Sequence, residues 1–246
     1  MSVLAGETRT PPDTVIYAIG DIHGRYDLLA AITERIAADA AQRSARRRIL
    51  VCLGDYVSRG IDSRRVVEML LEPPPEGFER VTLKGNHEDL LLRYLAGELD
   101  AGRHWFDYDG QDTLADYGVD IPDRQARDDA NLALLRQRFE AALPQAHLEF
   151  FRSLRINYRA GGYYFVHGGV RPGVPLDRQS PHDCMWIRAT FLNSEADHGA
   201  VVVHGHSIRE QPELRPNRIG IDTGAYRSGV LTGLVLEGST RVFLQT

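Results

Sequence analysis

Three times in succession the chain runs an apolar, strand-like stretch into a polar cluster that contains glycine, and then into apolar residues at helical spacing. Residues 14–20 (TVIYAIG) precede a helical pattern over 26–41, residues 48–53 (RILVCL) precede one over 62–71, and residues 80–83 precede one over 88–95. A period that switches from strand to helix in this order predicts an α/β fold, with sheet strands joined by packing helices. At 246 residues, 43% of them hydrophobic, the chain can bury a substantial core and is short enough for a single domain.

The middle changes character. Residues 102–129 are rich in Asp, Gly and aromatic residues, and 131–154 are helical in pattern. This predicts a helical insertion over 101–155 beside the site, between an N-terminal half (13–100) and a β-rich C-terminal half (156–246) of one domain spanning 1–246. Strand signals return in YYFVHGG, AVVVHGH, RIGIDTG, GVLTGLVLE and RVFLQ, with turns short enough for antiparallel strands.

Several classes are excluded by what is missing. A net charge of -5, with basic residues in short runs such as Arg46 to Arg48, announces neither nucleic acid nor an anionic membrane. No apolar run approaches the roughly 20 residues that span a bilayer. The polar leader before residue 14 lacks a basic segment followed by an apolar one. Cys52 and Cys184 are far apart and outside any Cys/His pair, so neither a disulfide framework nor a zinc cluster is expected. The expected setting is reducing and cytoplasmic.

The chemistry lies in the polar clusters, GDIHG (20–24), GDYVSRG (54–60) and GNHE (85–88), each where a strand should end. In α/β sheets ligand sites form at the carboxyl ends of strands. Asp21 and His23 are two apart, so an extended backbone would set both on one face to grip one cation. His167 and His206 each follow an apolar run and flank glycine. Any one fragment has a plain explanation as a turn, a cap or a packed histidine. Together, Asp21, His23, Asp55, Asn86, His167 and His206 bring carboxylate, amide and imidazole from five segments, a set suited to Mn, Fe or Zn.

These clusters resemble the GDxHG, GDxVDRG and GNHE elements and two later histidines of the phosphoprotein phosphatase branch of the calcineurin-like metallophosphoesterases, from about residue 13 to the C-terminus. The segments TLADYG (113–118), MWIR (185–188) and GIDTG (220–224) resemble the bacterial members. The resemblance implies a sandwich of mixed β-sheets flanked by helices, and two divalent cations, with Mn first and Fe or Zn as alternatives. It implies that Asp21, His23 and Asp55 hold one cation, that Asp55, Asn86, His167 and His206 hold the other, and that Asp55 bridges them. Arg59 and Arg188 would bind phosphate oxygens, and His87 would be the general acid. The implied activity is in-line hydrolysis of phosphate monoesters by water ionised between the cations, on a phosphoprotein (serine/threonine, and also tyrosine) or a small phosphorylated substrate. His204 competes with His206 for the last ligand place, and the Gly-His position favours His206. Position 208 is Ile208, where many nucleases and phosphodiesterases of the superfamily carry a further histidine.

One position departs from the pattern. Ser58 stands where the second Asp of GDxVDRG would orient His87 and support its protonated form. Symmetrical dinucleoside tetraphosphatases, the alternative function, also lack an acid there. Their leaving group is a phosphate with a second pKa of about 6, which departs with little help. Glu88, where those enzymes typically carry Asp, weighs toward the phosphatases. A non-catalytic descendant would be expected to have lost a ligand, and all six are present. Cys52 and Cys184 have the wrong spacing to Arg59 and Arg188 for a cysteine phosphatase loop, Tyr56 excludes a G-x-S-x-G elbow at Ser58, and no P-loop occurs.

Overall fold

The computed structural model describes residues 8–246, so residues 1–7 of the polar leader lie outside the described residues. The N-terminal alternation is realised as β1 (Thr14–Ile19), α1 (Tyr26–Ala41), β2 (Arg47–Cys52), α2 (Ser63–Leu71), β3 (Phe78–Thr82) and α3 (Asn86–Leu95). The next segment forms four helices, α4 (Leu99–Phe106), α5 (Gly110–Asp116), α6 (Asp129–Ala142) and α7 (Gln145–Ser153), with an irregular stretch over 117–128. There follow β4 (Asn157–Ala160), β5 (Tyr163–Val166), α8 (Pro181–Trp186), α9 (Ala189–Leu192), β6 (Val201–His204), β7 (Glu213–Leu214), β8 (Arg218–Gly220), α10 (Ala225–Ser228), β9 (Thr232–Glu237) and β10 (Thr240–Gln245).

The strands form two mixed sheets in one domain, ordered β10-β9-β1-β2-β3 and β4-β5-β6-β8-β7. Alternation along β1 shows how they pack. Val15, Tyr17 and Ile19 join the core under the helices, whereas Ile16 and Ala18 join Tyr163, Phe165, Val203 and Ile219 between the sheets. A strand buried on both faces must be apolar at every position, which is why TVIYAIG reads as a continuous run.

The short-turn, antiparallel expectation fails at the centre of the second sheet and holds at its edges. β5 pairs with β6, and β6 with β8, in parallel. Parallel neighbours need a crossover, and α8 and α9 supply it between β5 and β6. Antiparallel pairing is confined to β4–β5, β7–β8, β9–β10 and β1–β9. The consequence is functional: β1, β2 and β3 run parallel, as do β5 and β6. The loops leaving each set open together, and hydrogen bonds from His206 to Asp21 and from His167 to the Leu53 carbonyl bring the two sets to one edge of the sandwich. Both cysteines are buried and unpaired, and among the described residues no helix is long and apolar enough to cross a membrane.

Candidate metal centre

Five loops from both sheets meet at that edge. Asp21, His23, Asp55, Asn86, His87, His167 and His206 are each 4% exposed or less. Asp55 lies at the middle, its Oδ2 3.4 Å from His167 Nε2, 3.6 Å from His23 Nε2 and 3.8 Å from His87 Nε2. Two clusters of donor atoms result, His23/Asp55/His87 and Asp55/His167/His206, each within 4.8 Å and sharing Asp55. Asn86 Oδ1 is 3.0 Å from His167 Nε2. Asp21 accepts from the His206 backbone N–H and lies 3.9 Å from His167 Nδ1.

The extended backbone expected of Asp21 and His23 is not what brings them here. β1 stops at Ile19, and His23 turns at φ +47°. Its Nδ1 donates to the Val57 carbonyl at 2.9 Å, and the Arg59 guanidinium donates to its Nε2 at 2.9 Å. His167 is pinned the same way, Nδ1 donating to the Leu53 carbonyl at 3.0 Å. A carbonyl only accepts, so in both rings Nδ1 carries the hydrogen and Nε2 is the nitrogen left to face Asp55. His206 Nε2 and His87 Nδ1 are buried with no hydrogen-bond partner. His204 faces elsewhere, packing edge-on against Phe191 at 5.1 Å with Nδ1 bonded to the Gly205 carbonyl.

The electrostatics fit a site for cations. Burial and the neighbouring Asp222 carboxylate push Asp21 well above the usual carboxylate range. Burial alone would lower His167, yet Asp55 and Asp21 outweigh it and raise the imidazole to about 9. Buried carboxylates therefore recruit a proton onto His167 to balance their charge. Orphaned imidazole nitrogens beside crowded carboxylates form an acceptor set that divalent cations would satisfy.

The backbone is strained where the donors sit. His23, Asp55, Ser58, Arg59 and His206 are five of the seven non-glycine residues with positive φ among those described. Each such conformation costs on the order of 1 kcal/mol or more, so something must hold it. Glu88, 0% exposed, accepts from the N–H groups of Asp55 (2.9 Å), Tyr56 (2.8 Å) and Gly85 (3.0 Å). At position 205 only glycine fits, since a Cβ there would lie 2.0 Å from Asp21 Oδ1.

Around the centre, Arg59 is half-buried with its guanidinium 4.8 Å from the Tyr226 ring, and Arg188 is exposed with Nη2 3.5 Å from His206 Nδ1. Ser58 is occupied from both sides. Its Oγ accepts from Trp105 Nε1 at 2.9 Å and its N–H donates to Thr113 Oγ1. No hydrogen bond joins it to His87.

Residues 14–223 match the family model described as calcineurin-like phosphoesterase. The chain belongs to this family. The calcineurin-like phosphoesterase is a phosphoester hydrolase, and the family works through a dinuclear metal centre. It is 26% identical to serine/threonine-protein phosphatase 2 of Escherichia coli, with 88% of this chain and 90% of the relative covered. It is 23% identical to an asymmetrical bis(5'-nucleosyl)-tetraphosphatase of Bacillus cereus, with 88% of each covered. The crystal structure of a candidate diadenosine tetraphosphatase shares the fold at a TM-score of 0.63 and 21% identity, covering 96% of this chain and 95% of that one.

In this phosphoesterase four neighbours of the centre escaped sequence reasoning as site residues: Glu88, Asp222, Trp105 and Tyr226. Glu88 had a readable signal, because it stands three residues after Gly85 at a helix start, the capping-box spacing. Asp222 also had one, following β8 at the same edge as His206. Trp105 and Tyr226 had none. If Arg59 and Arg188 bind phosphate as the resemblance implies, Arg59→Ala and Arg188→Ala should each retain metal but lower kcat/KM by roughly tenfold or more. An unchanged kcat/KM would reduce that arginine to a surface ion-pairing group.

Proposed function

We propose that this phosphoesterase hydrolyses phosphate monoesters on proteins or small molecules as a protein-phosphatase-type enzyme. The observation that supports this is Asp55 shared between two donor clusters, with the guanidinium groups of Arg59 and Arg188 beside them. In this reading Asp21, His23 and Asp55 hold one divalent cation, and Asp55, Asn86, His167 and His206 the other. When bound, such a pair neutralises phosphoryl oxygens and ionises a water. Arg59 and Arg188 grip the remaining oxygens through their planar forks and orient the ester for in-line attack. His87, buried beside Asp55, supplies the proton to the departing oxygen.

A second reading, phosphoanhydride hydrolysis, is favoured by one observation. The Ser58 hydroxyl is engaged by Trp105, and His87 Nδ1 has no partner. No carboxylate or hydroxyl therefore bonds Nδ1 to support the protonated ring, and a leaving group that needs little protonation benefits. The purified protein with Mn²⁺, assayed on a phosphoserine peptide, a phosphotyrosine peptide and diadenosine tetraphosphate, should give the highest kcat/KM on a phosphopeptide. A tetraphosphate value tenfold above both peptides would reverse the order of the readings.

Ser58→Asp tests the same point within one fold. Asp tolerates the left-handed φ of +71° at this position, and the Trp105 indole N–H can donate to its carboxylate. By analogy with outer-shell carboxylates, worth roughly 10–100-fold elsewhere, turnover of phosphoserine peptide should rise by up to about tenfold, with little change on p-nitrophenyl phosphate. Equal changes on both substrates across pH 6 to 9 would mean that His87 is not the limiting acid.

A further inference from the structure

The mouth of the centre carries a run of rings that metal binding and phosphate contact leave unused. Tyr108 lies 5.8 Å from the His87 ring and 5.2 Å from His104. His104 stacks on Trp186 at 5.4 Å and 15°, and Trp186 meets His206 edge-on at 6.4 Å. The run thus leaves the centre at one imidazole and returns to it at another. Arg59 adds a cationic face, 6.0 Å from the Tyr108 centroid. Tyr108 and Trp186 are half-buried and His104 is exposed, so these rings are neither sealed in the core nor scattered over the surface.

We propose that Tyr108 and Trp186 form a subsite for a planar aromatic ring bonded directly to the scissile phosphoryl oxygen, so that the preferred substrates are aryl phosphates such as a phosphotyrosyl side chain. This rests on the phosphoesterase reading above and adds the leaving group to it. Tyr108 and Trp186 each stand about one ring's breadth from a donor imidazole. A ring touching them while its phosphate occupies the centre lies directly beside the donor imidazoles. A nucleobase is set off from its phosphates by a ribose and would lie farther out. Offset and edge-on contacts suit aromatic pairs, and a guanidinium suits a ring face.

The helix that supplies this rim also shapes the acid. On α4, His104 faces the rim while the adjacent Trp105 takes the Ser58 hydroxyl. Tyrosine's ordinary pKa of about 10 makes phenolate an easier leaving group than a serine alkoxide. In the reaction, water's oxygen bonds to phosphorus as the phosphorus–oxygen bond to the ring breaks. The electron pair departs on the phenolic oxygen, which takes up one proton from His87; of the two protons of water, one restores His87 and hydrogen phosphate keeps the other.

The test measures kcat/KM of the Mn²⁺-loaded enzyme on one peptide frame bearing phosphotyrosine or phosphoserine, and on diadenosine tetraphosphate. Tyr108→Leu and Trp186→Leu should each lower the phosphotyrosine-to-phosphoserine ratio by about three- to tenfold, chiefly through KM, while Tyr108→Phe keeps it. Should a leucine variant not fold, the exposed His104→Ala is read in the same way. An unchanged ratio with metal content intact would overturn the subsite. A greater loss on diadenosine tetraphosphate than on phosphotyrosine would overturn it in favour of a base. No turnover of any substrate by the wild type would instead sink the phosphoesterase reading, and this inference with it.

Discussion

Asp55→Asn should lower turnover by about a thousandfold or more and strip metal from the protein. Asp55 is the one carboxylate common to both donor clusters, so in the proposed two-cation reading the substitution removes a negative charge from both cation positions at once. Several kcal/mol of transition-state charge stabilisation depends on such ions, and 1.4 kcal/mol is a factor of ten in rate. The fold should survive, because an asparagine oxygen can still accept the His87 backbone N–H that Asp55 Oδ1 accepts at 3.1 Å. Metal analysis together with kcat decides the matter. A variant that kept two metals per chain and near-normal turnover would end the two-cation assignment.

Glu88→Ala should cost on the order of 3 kcal/mol of stability and lower Tm by roughly 6–12 °C. Its carboxylate satisfies three buried N–H groups that alanine would orphan, two of them in the strained Asp55 loop and one at the start of α3. Burial and the nearby Asp55 push Glu88 up to about 7, so this acceptor is held in place against its own desolvation. Glu88→Gln keeps one acceptor oxygen and should fall between wild type and alanine. Thermal unfolding in chelator separates this effect from metal loss. A Glu88→Ala variant melting with the wild type would show that the loop is held by something else.

The first three strand–helix units were legible almost to the residue, since hydrophobic period and the following Gly-Asp clusters point the same way. Pairing direction in the second sheet was not. A strand such as AVVV looks the same whichever neighbour it takes, and only the crossover through α8 and α9 makes it parallel. Helices α4 and α5 fall almost wholly within the helical insertion expected over 101–155, but their separate bounds could not be read in a stretch rich in Asp, Gly and aromatic residues. Gly102 makes room for a ring, since a Cβ there would lie 2.3 Å from Tyr94. Within the site the donors were legible as residue types at strand ends, but not their orientation. The left-handed turns at His23 and Asp55, and the engagement of Ser58 by Trp105 across 47 positions, depend on contacts that no local pattern encodes.

The His206 backbone N–H reaches the Asp21 carboxylate across 185 positions of sequence. On a ribosome adding roughly 5–20 residues per second, Asp21, Asp55 and Asn86 emerge many seconds before their imidazole partners on the second sheet. A growing chain already carries His23, Asp55 and His87, the whole of one cluster, but it lacks the rings of His167 and His206 that complete the other. If hydrolysis needs both clusters, competence is thereby deferred until the two sheets have closed on each other.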